Sequence, residues 1–259
     1  MEKGVPIRTV SRSFAVLKLI NRHDAMTLME IARATHLPYP TAYRIVQTLV
    51  HEGLIECEST RKKYRVTRQV MNLSQGYSDQ GNLVAVARPF IVDLTLRFDW
   101  PVTITSGVGT TVMIRDSTYE MSALSFNRYY PGYTIPLLEC AAGQVHLAFM
   151  EEHERQELLA FLEEQDGFSE SIERFRDGEV FARIRTDGFT QHERSKGTAN
   201  PGQTSSLAAP ILLHGEEEAQ LTLSYFSVEL APQEAIDLYA MALKSCAAEI
   251  SAALEKSRS

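Results

Sequence analysis

Between Thr27 and Gly53 the chain is punctuated so closely that only two short helices fit. Thr27-Leu28-Met29-Glu30 has the Thr-x-x-Glu spacing of a capping box, in which a hydroxyl and a carboxylate satisfy free backbone N–H groups at a helix start. Leu28, Ile31 and Ala32 give this helix its apolar face, and it ends by His36-Leu37-Pro38, because a residue before proline disfavours the helical region. The next helix is expected to start at Pro40 or Thr41, with Pro40 in the first position, where its missing N–H costs nothing, and Gly53 stops it. Ala42, Ile45, Val46 and Leu49 fall on one side of it. Thr41, Tyr43, Arg44, Gln47, Thr48 and His51 fall on the other, a face rich in hydrogen-bond donors.

The flanks complete a module. Upstream, Phe14, Leu17, Leu19 and Ile20 recur at near-helical spacing behind Ser11 or Ser13, either of which can serve as an N-cap. Downstream, Leu54 to Glu58 and Lys63 to Val66 alternate around a turn at 59–62, which reads as a β-hairpin. Its tip carries Arg61, Lys62 and Lys63. A helical hairpin followed by a basic β wing is the plan of a winged helix-turn-helix. An α-helix fits the DNA major groove, where Arg or Gln can read base edges. A cationic loop beside it meets phosphates and adds affinity without sequence information. Thr41, Tyr43, Arg44 and Gln47 are the candidates for the major groove, Arg61, Lys62 and Lys63 for phosphate or the minor groove, and Arg12 for the backbone. Charge follows the same division. Residues 1–80 hold 12 Lys or Arg against 7 Asp or Glu, a net of +5, and the remaining 179 hold 14 against 26, a net of -12. The whole-chain value of -7 therefore says little about the local field.

The segments SRSFAVLKLI, LMEIARATHLPYPTAYRIVQTLVHEGLIE and KKYRVTRQVMNLSQGY resemble the IclR-type bacterial transcription regulators. So do GYTIPLLECAAGQVHLAF and SLAAPI in the second part of the chain, which resemble that family's effector domain, and the blocks stand in the family's order. Pro40 departs from the pattern, in which a small hydroxyl residue is usual, and this puts a side-chain phosphate contact from that position in doubt. The resemblance implies an α+β architecture: a winged helix-turn-helix, a helical linker and a GAF-like effector domain with an antiparallel sheet. It also implies homodimers or tetramers on operator DNA and a small organic acid as effector, for some members an aromatic one. Carried over residue by residue, it marks Ala141, Ala142 and Ser206 as pocket candidates, with Ser206 where some relatives have cysteine.

Read from the residues, the domains divide as 1–68, a linker at 69–81 and an effector and oligomerisation domain at 82–259. The linker stretch is amphipathic, with Val70 and Leu73 on one side, and Gly76 and the polar run after it mark a hinge near residue 80. A long helix follows through Leu83 and Phe98, which Pro89 should kink or split. Val102 to Ser106 and Thr111 to Arg115 are strands turned by Gly107-Val108-Gly109. Phe126, Tyr129, Tyr130 and Tyr133 crowd one loop with Arg128, either as satellite core or as a lining for an aromatic acid. Cys140 to Gly143 opens a helix whose free N–H groups and dipole favour a carboxylate, with His146 a core or pocket histidine on it. Arg128, Tyr133, Ala141, Ala142, His146 and Ser206 are the candidate ligand contacts. The stretch from His192 to Gly202 reads as a loop over the pocket mouth, Pro232 starts a final helix to about Ser257, and the Glu216 to Glu218 run reads as a solvated face.

Several classes are disfavoured. The apolar run Leu207 to Leu213 is far too short to span a bilayer, and the first residues lack a secretory pattern, so a cytoplasmic protein is expected. The three cysteines form no CxxC pair, and no cofactor or metal is expected. There is no H-E-x-x-H, G-x-S-x-G, G-x-G-x-x-G or Walker loop. Cys140 at a helix start is read as a small buried residue rather than a nucleophile, since no triad partner can be named. A ligand-responsive regulator is the leading reading. An enzyme of aromatic acids with a DNA-binding domain, and a constitutive architectural DNA-binding protein, are the alternatives.

Overall fold

The computed structural model describes residues 7–23, 25–58, 60–74, 82–122, 129–164, 172, 175, 178–193 and 204–258. The chain forms two compact units, Met1–Ser78 and Asp79–Ser259.

In the first unit, α1 (Arg8–Arg22), α2 (Leu28–Ala34) and α3 (Tyr39–His51) pack on a small sheet of β1 (Met26–Thr27), β2 (Ile55–Cys57) and β3 (Lys63–Val66), in the order β1-β3-β2. Val16, Leu17, Ile20, Ile31, Ala42, Ile45, Val46, Leu49 and Ile55 form its core. Helix α1 is entered from Ile7, four residues before Ser11, with no side-chain cap. Ser13 instead bonds back to the Thr9 carbonyl, and Phe14 stays exposed. The α2 capping box is present in full, and the Thr27 N–H and hydroxyl hold the Glu30 carboxyl below its usual range. Helix α3 begins one residue earlier than expected, so Pro40 sits second rather than first, again where no N–H is needed. The short β1 was not anticipated; it pairs Met26 with Tyr64 and Thr27 with Lys63. Residues Arg68–Ser74 form a 3-10 helix in which Val70 packs on the core and Leu73 is exposed.

Both helices of the helical hairpin end in the same way. The Leu37 N–H bonds the Ala32 carbonyl and the His36 N–H bonds the Arg33 carbonyl, while after α3 Leu54 and Gly53 repeat the pattern on Leu49 and Val50. These are Schellman motifs, which need a left-handed residue. Gly53 supplies one at φ 72°, but after α2 the position is held by His36 at φ 52°.

The second unit is α+β. Its six-stranded antiparallel sheet runs β6-β5-β4-β9-β8-β7, with β4 Val102–Val108, β5 Thr111–Ser117, β6 Thr134–Pro136, β7 Thr190–Glu193, β8 Thr204–Leu213 and β9 Glu216–Phe226. One face packs on α4 (Leu83–Phe98) and α8 (Pro232–Arg258) through Leu83, Ala87, Ile91, Leu94, Val102, Ile104, Leu221, Leu223, Leu243 and Ile250. The other is covered by α5 (Ala141–Phe149), behind which lie α6 (Glu152–Glu163) and α7 (Glu179–Asp187). Among the described residues no helix is long and apolar enough to cross a membrane.

Three expectations are corrected here. Pro89 does not split α4, since its ring points outward and the exposed position of Ala85 lets the carbonyl it leaves unbonded meet water. Gly107 lies within β4, and the turn is at Gly109-Thr110. His192 and Glu193 belong to β7 rather than to a loop; the remainder of that stretch lies outside the described residues.

Candidate functional site

Two surfaces bring the singled-out residues together. On the first, α3 buries Ala42, Ile45, Val46 and Leu49 and turns Tyr43, Arg44, Gln47, Thr48 and His51 to solvent, with Thr41 half-buried at its start. The helix is therefore sealed along one side and donor-rich along the other, the division a groove-reading helix requires. At the wing, Arg61 and Lys62 are exposed, with Lys62 in the left-handed region at the turn, while Lys63 is half-buried in β3 opposite Thr27. Arg65 is matched by Glu56 at 2.7 Å and by Glu58 at 3.8 Å. Arg61 and Lys62 make no ion pair among the described residues, so the tip keeps its charge for an outside anion. Arg12 is exposed on α1.

The second surface is internal. On the α5 side of the large sheet, Thr103, Thr105, Thr222, Ser224 and Ser206 line a small cavity of about 20 Å³, with Ile114, Tyr119, Tyr129, Ile135, Cys140 and Ala142 around them. That volume holds about one water-sized sphere. The Thr222 hydroxyl is buried without a hydrogen-bond partner. Helix α5 enters through Cys140, whose Sγ accepts from the Gly143 N–H at 3.3 Å and faces the Pro136 carbonyl at 3.6 Å. Gly143 is required by packing, because a Cβ there would lie 2.0 Å from the Leu137 carbonyl oxygen. The Ala141 and Ala142 N–H groups are the first two of the helix and have no intrahelical acceptor. A carboxylate entering the cavity would meet Ala142 at the positive end of the α5 dipole and the strand hydroxyls. Among the described residues no group of His, Cys, Asp or Glu could hold a metal ion.

The expected ligand residues are only partly gathered here. Ala142 and Ser206 line the cavity, and Ala141 is buried beside Ala142 without reaching it. Tyr133 stands behind Tyr129, edge-on at 5.2 Å between ring centroids, and Tyr129 rather than Tyr133 faces the space. His146 does not line the cavity. Its ring fills the notch left by Gly107, and Nδ1 bonds Glu217 at 2.9 Å. Glu217 is accordingly no solvated residue, with its side chain only 6% exposed. Arg128 and Phe126 lie outside the described residues. Sequence reasoning passed over Thr103, Thr105, Thr222 and Ser224. It also missed the buried pair in which the Gln144 amide meets His192 Nδ1 at 2.8 Å. The available signal was alternation in β9, where Gln220, Thr222 and Ser224 interleave with Leu221, Leu223 and Tyr225.

Residues 9–58 match the IclR helix-turn-helix domain. The probable transcriptional regulator SauR of Cupriavidus necator is 26% identical over 152 residues, covering 58% of this chain and 60% of SauR. The chain spans less than two thirds of the length of the curated relatives it matches. An IclR family transcriptional regulator from Brucella abortus superposes with a TM-score of 0.69 at 23% identity, over 96% of this chain and 93% of that one. An IclR homologue from Microbacterium hydrocarbonoxydans, solved in complex with 4-hydroxybenzoate, superposes with a TM-score of 0.71 at 20% identity, over 96% and 99%. The fold is thus the IclR-type one, a helix-turn-helix domain followed by an α+β domain with an antiparallel sheet.

Proposed function

We propose that this chain, whose residues 9–58 carry the IclR helix-turn-helix domain, is a transcription regulator that binds operator DNA through α3 and the wing and answers to a small organic acid held under α5. The observation that carries the DNA reading is the sealed-and-polar division of α3 beside an uncompensated Arg61-Lys62 tip. Thr41, Tyr43, Arg44 and Gln47 face the major groove, Arg61, Lys62 and Lys63 follow phosphate or the minor groove, and Arg12 meets the backbone. The chain works in the cytoplasm as a homodimer or tetramer on a pseudo-palindromic site. The effector is an aromatic acid: rings pack on Tyr119 and Tyr129, and the acid group is received at Ala141, Ala142, Ser206 and the unpartnered Thr222 hydroxyl. The 4-hydroxybenzoate held by the Microbacterium homologue supports this chemical class. A ligand of that size exceeds the cavity, so binding must enlarge it, and that displacement is the signal sent to the DNA-binding unit. The controlled genes serve the catabolism of that acid.

The test is a shift assay on fragments around the chain's own gene, at several salt concentrations. Arg44→Ala should cost about 1–3 kcal/mol and relax base preference at one position. Lys62→Ala should weaken all sequences alike and lower the salt slope by about one. Unchanged binding in both variants would remove the contact assignment. A thermal-shift screen of aromatic acids tests the effector, and by linkage the acid that shifts DNA affinity must itself bind more or less tightly, by the same factor, when DNA is present.

A further inference from the structure

We infer that the chamber demands a hydrogen-bond donor from its ligand at Thr105, so that the effector is an acid bearing a hydroxyl or amino group rather than a plain or ether-capped acid. This rests on the effector reading above and narrows it. The reasoning starts at Glu217, a buried carboxylate that only accepts. One of its oxygens takes the His146 Nδ1 proton at 2.9 Å, and the other takes a proton from the Gln220 amide nitrogen. The Gln220 amide is thereby oriented, its NH₂ toward Glu217 and its oxygen toward Thr105. Gln220 is wholly buried, so this orientation has no solvent alternative. Gln220 Oε1 lies 2.7 Å from the Thr105 hydroxyl and can only accept, so Thr105 must spend its single proton there. Thr105 lines the chamber, and what it offers the interior is lone pairs alone.

The far end of the chain is fixed by packing. A Cβ at residue 107 would lie 2.1 Å from His146 Nε2, so glycine there is what lets the imidazole sit flat against β4 and reach Glu217. The other part of the chamber has the opposite polarity: the α5 N–H groups donate, and the Thr222 hydroxyl has no partner to fix its proton. Thr222 pairs with Thr103 and Gln220 with Thr105, so the donor and acceptor regions are one same-face step apart along β9, about 7 Å. An aromatic hydroxy-acid places its two polar ends at about that separation and satisfies both. A methyl ether sets an acceptor against an acceptor, and an unsubstituted ring leaves Thr105 unmet, a situation that costs binding.

The experiment is calorimetric titration of the full chain with 3- and 4-hydroxybenzoate, their methyl ethers and benzoate. The expected result is that one hydroxy-acid binds at least about tenfold tighter than its ether and than benzoate. Thr105→Val should bring that ratio close to one, and Thr105→Ser should restore it. Glu217→Gln frees the Gln220 amide to reverse and should shrink the preference without touching Thr105, a response that a merely structural Glu217 would not give. A wild-type preference for the ethers or benzoate, or a hydroxyl preference that survives Thr105→Val, overturns the inference and leaves the effector site standing. If none of the five acids binds, the aromatic-acid reading of the chamber falls, and this inference with it.

Discussion

On one face of the large sheet Val102, Ile104, Leu207, Leu221 and Leu223 pack against α4 and α8; on the other, Thr103, Thr105, Ser206, Gln220, Thr222 and Ser224 are as well buried. The two faces share the same backbone and alternate residue by residue along β4, β8 and β9. The first is a conventional apolar core, and its burial is favourable by about 25 cal/mol per Å². The second gives up that gain. Its hydroxyls need partners, and at least one, on Thr222, has none. Burying polar groups in that condition is costly, which marks the α5 face as the one that serves binding and the α8 face as the one that holds the unit together.

Substitutions can break this division if it is wrong. Leu223→Ala, in the middle of the apolar face, should destabilise the second unit by about 2–5 kcal/mol. The readout is denaturant unfolding followed by Trp100, the single tryptophan, which is buried on that face against Tyr225 and Phe226. Gly107→Ala, on the α5 face, should cost roughly 1–3 kcal/mol by driving the added Cβ into His146. A second change, His146→Ala, should recover most of that loss, a coupling that a double-mutant cycle measures directly. Thr222→Val goes the other way. It replaces an unpartnered hydroxyl by a methyl group of similar size and should raise stability by about 1 kcal/mol while weakening acid binding. Stability and ligand affinity moving together in Thr222→Val would show that the face is structural after all.

The same contrast explains what could be read from the chain and what could not. The capping box at Thr27 and the apolar face of α3 rest on residues three or four positions apart, and the wing on a short hairpin that pairs Ile55 with Val66. The division of β9 into two sides was equally visible, yet alternation names the sides and not what covers them. Thr222 and Ser224 look the same in sequence whether they meet water or α5. Glu217 was hidden inside a run of three glutamates, because its burial depends on His146 from a distant helix and on a glycine in a third element. Gly107 itself reads as a turn residue in the sequence, whereas its lack of a side chain serves a tertiary contact. His36 was missed because glycine or asparagine is the usual mark of a left-handed helix end, and here the Schellman bonds of Leu37 and His36 hold a residue that resists that conformation.

A further test separates the faces by proton rather than by side-chain volume. Cys246 belongs to the apolar face, where burial, with lesser contributions from Glu249 and Asp93, pushes its thiol up to about 12 from 9.0. The folded state therefore prefers the protonated thiol. That preference contributes its full stability below pH 9 and is lost as pH rises from 9 toward 12, because the unfolded chain ionises first. Tyr225, on the same face, is also raised by burial, so the wild-type slope contains both groups. Comparing the wild type with Cys246→Ala isolates the thiol: the gap between their unfolding midpoints should be constant from pH 7 to 9 and should close above it. A gap that stays parallel through pH 11 would mean that water reaches Cys246, and that the face taken here as sealed is open on its α8 side.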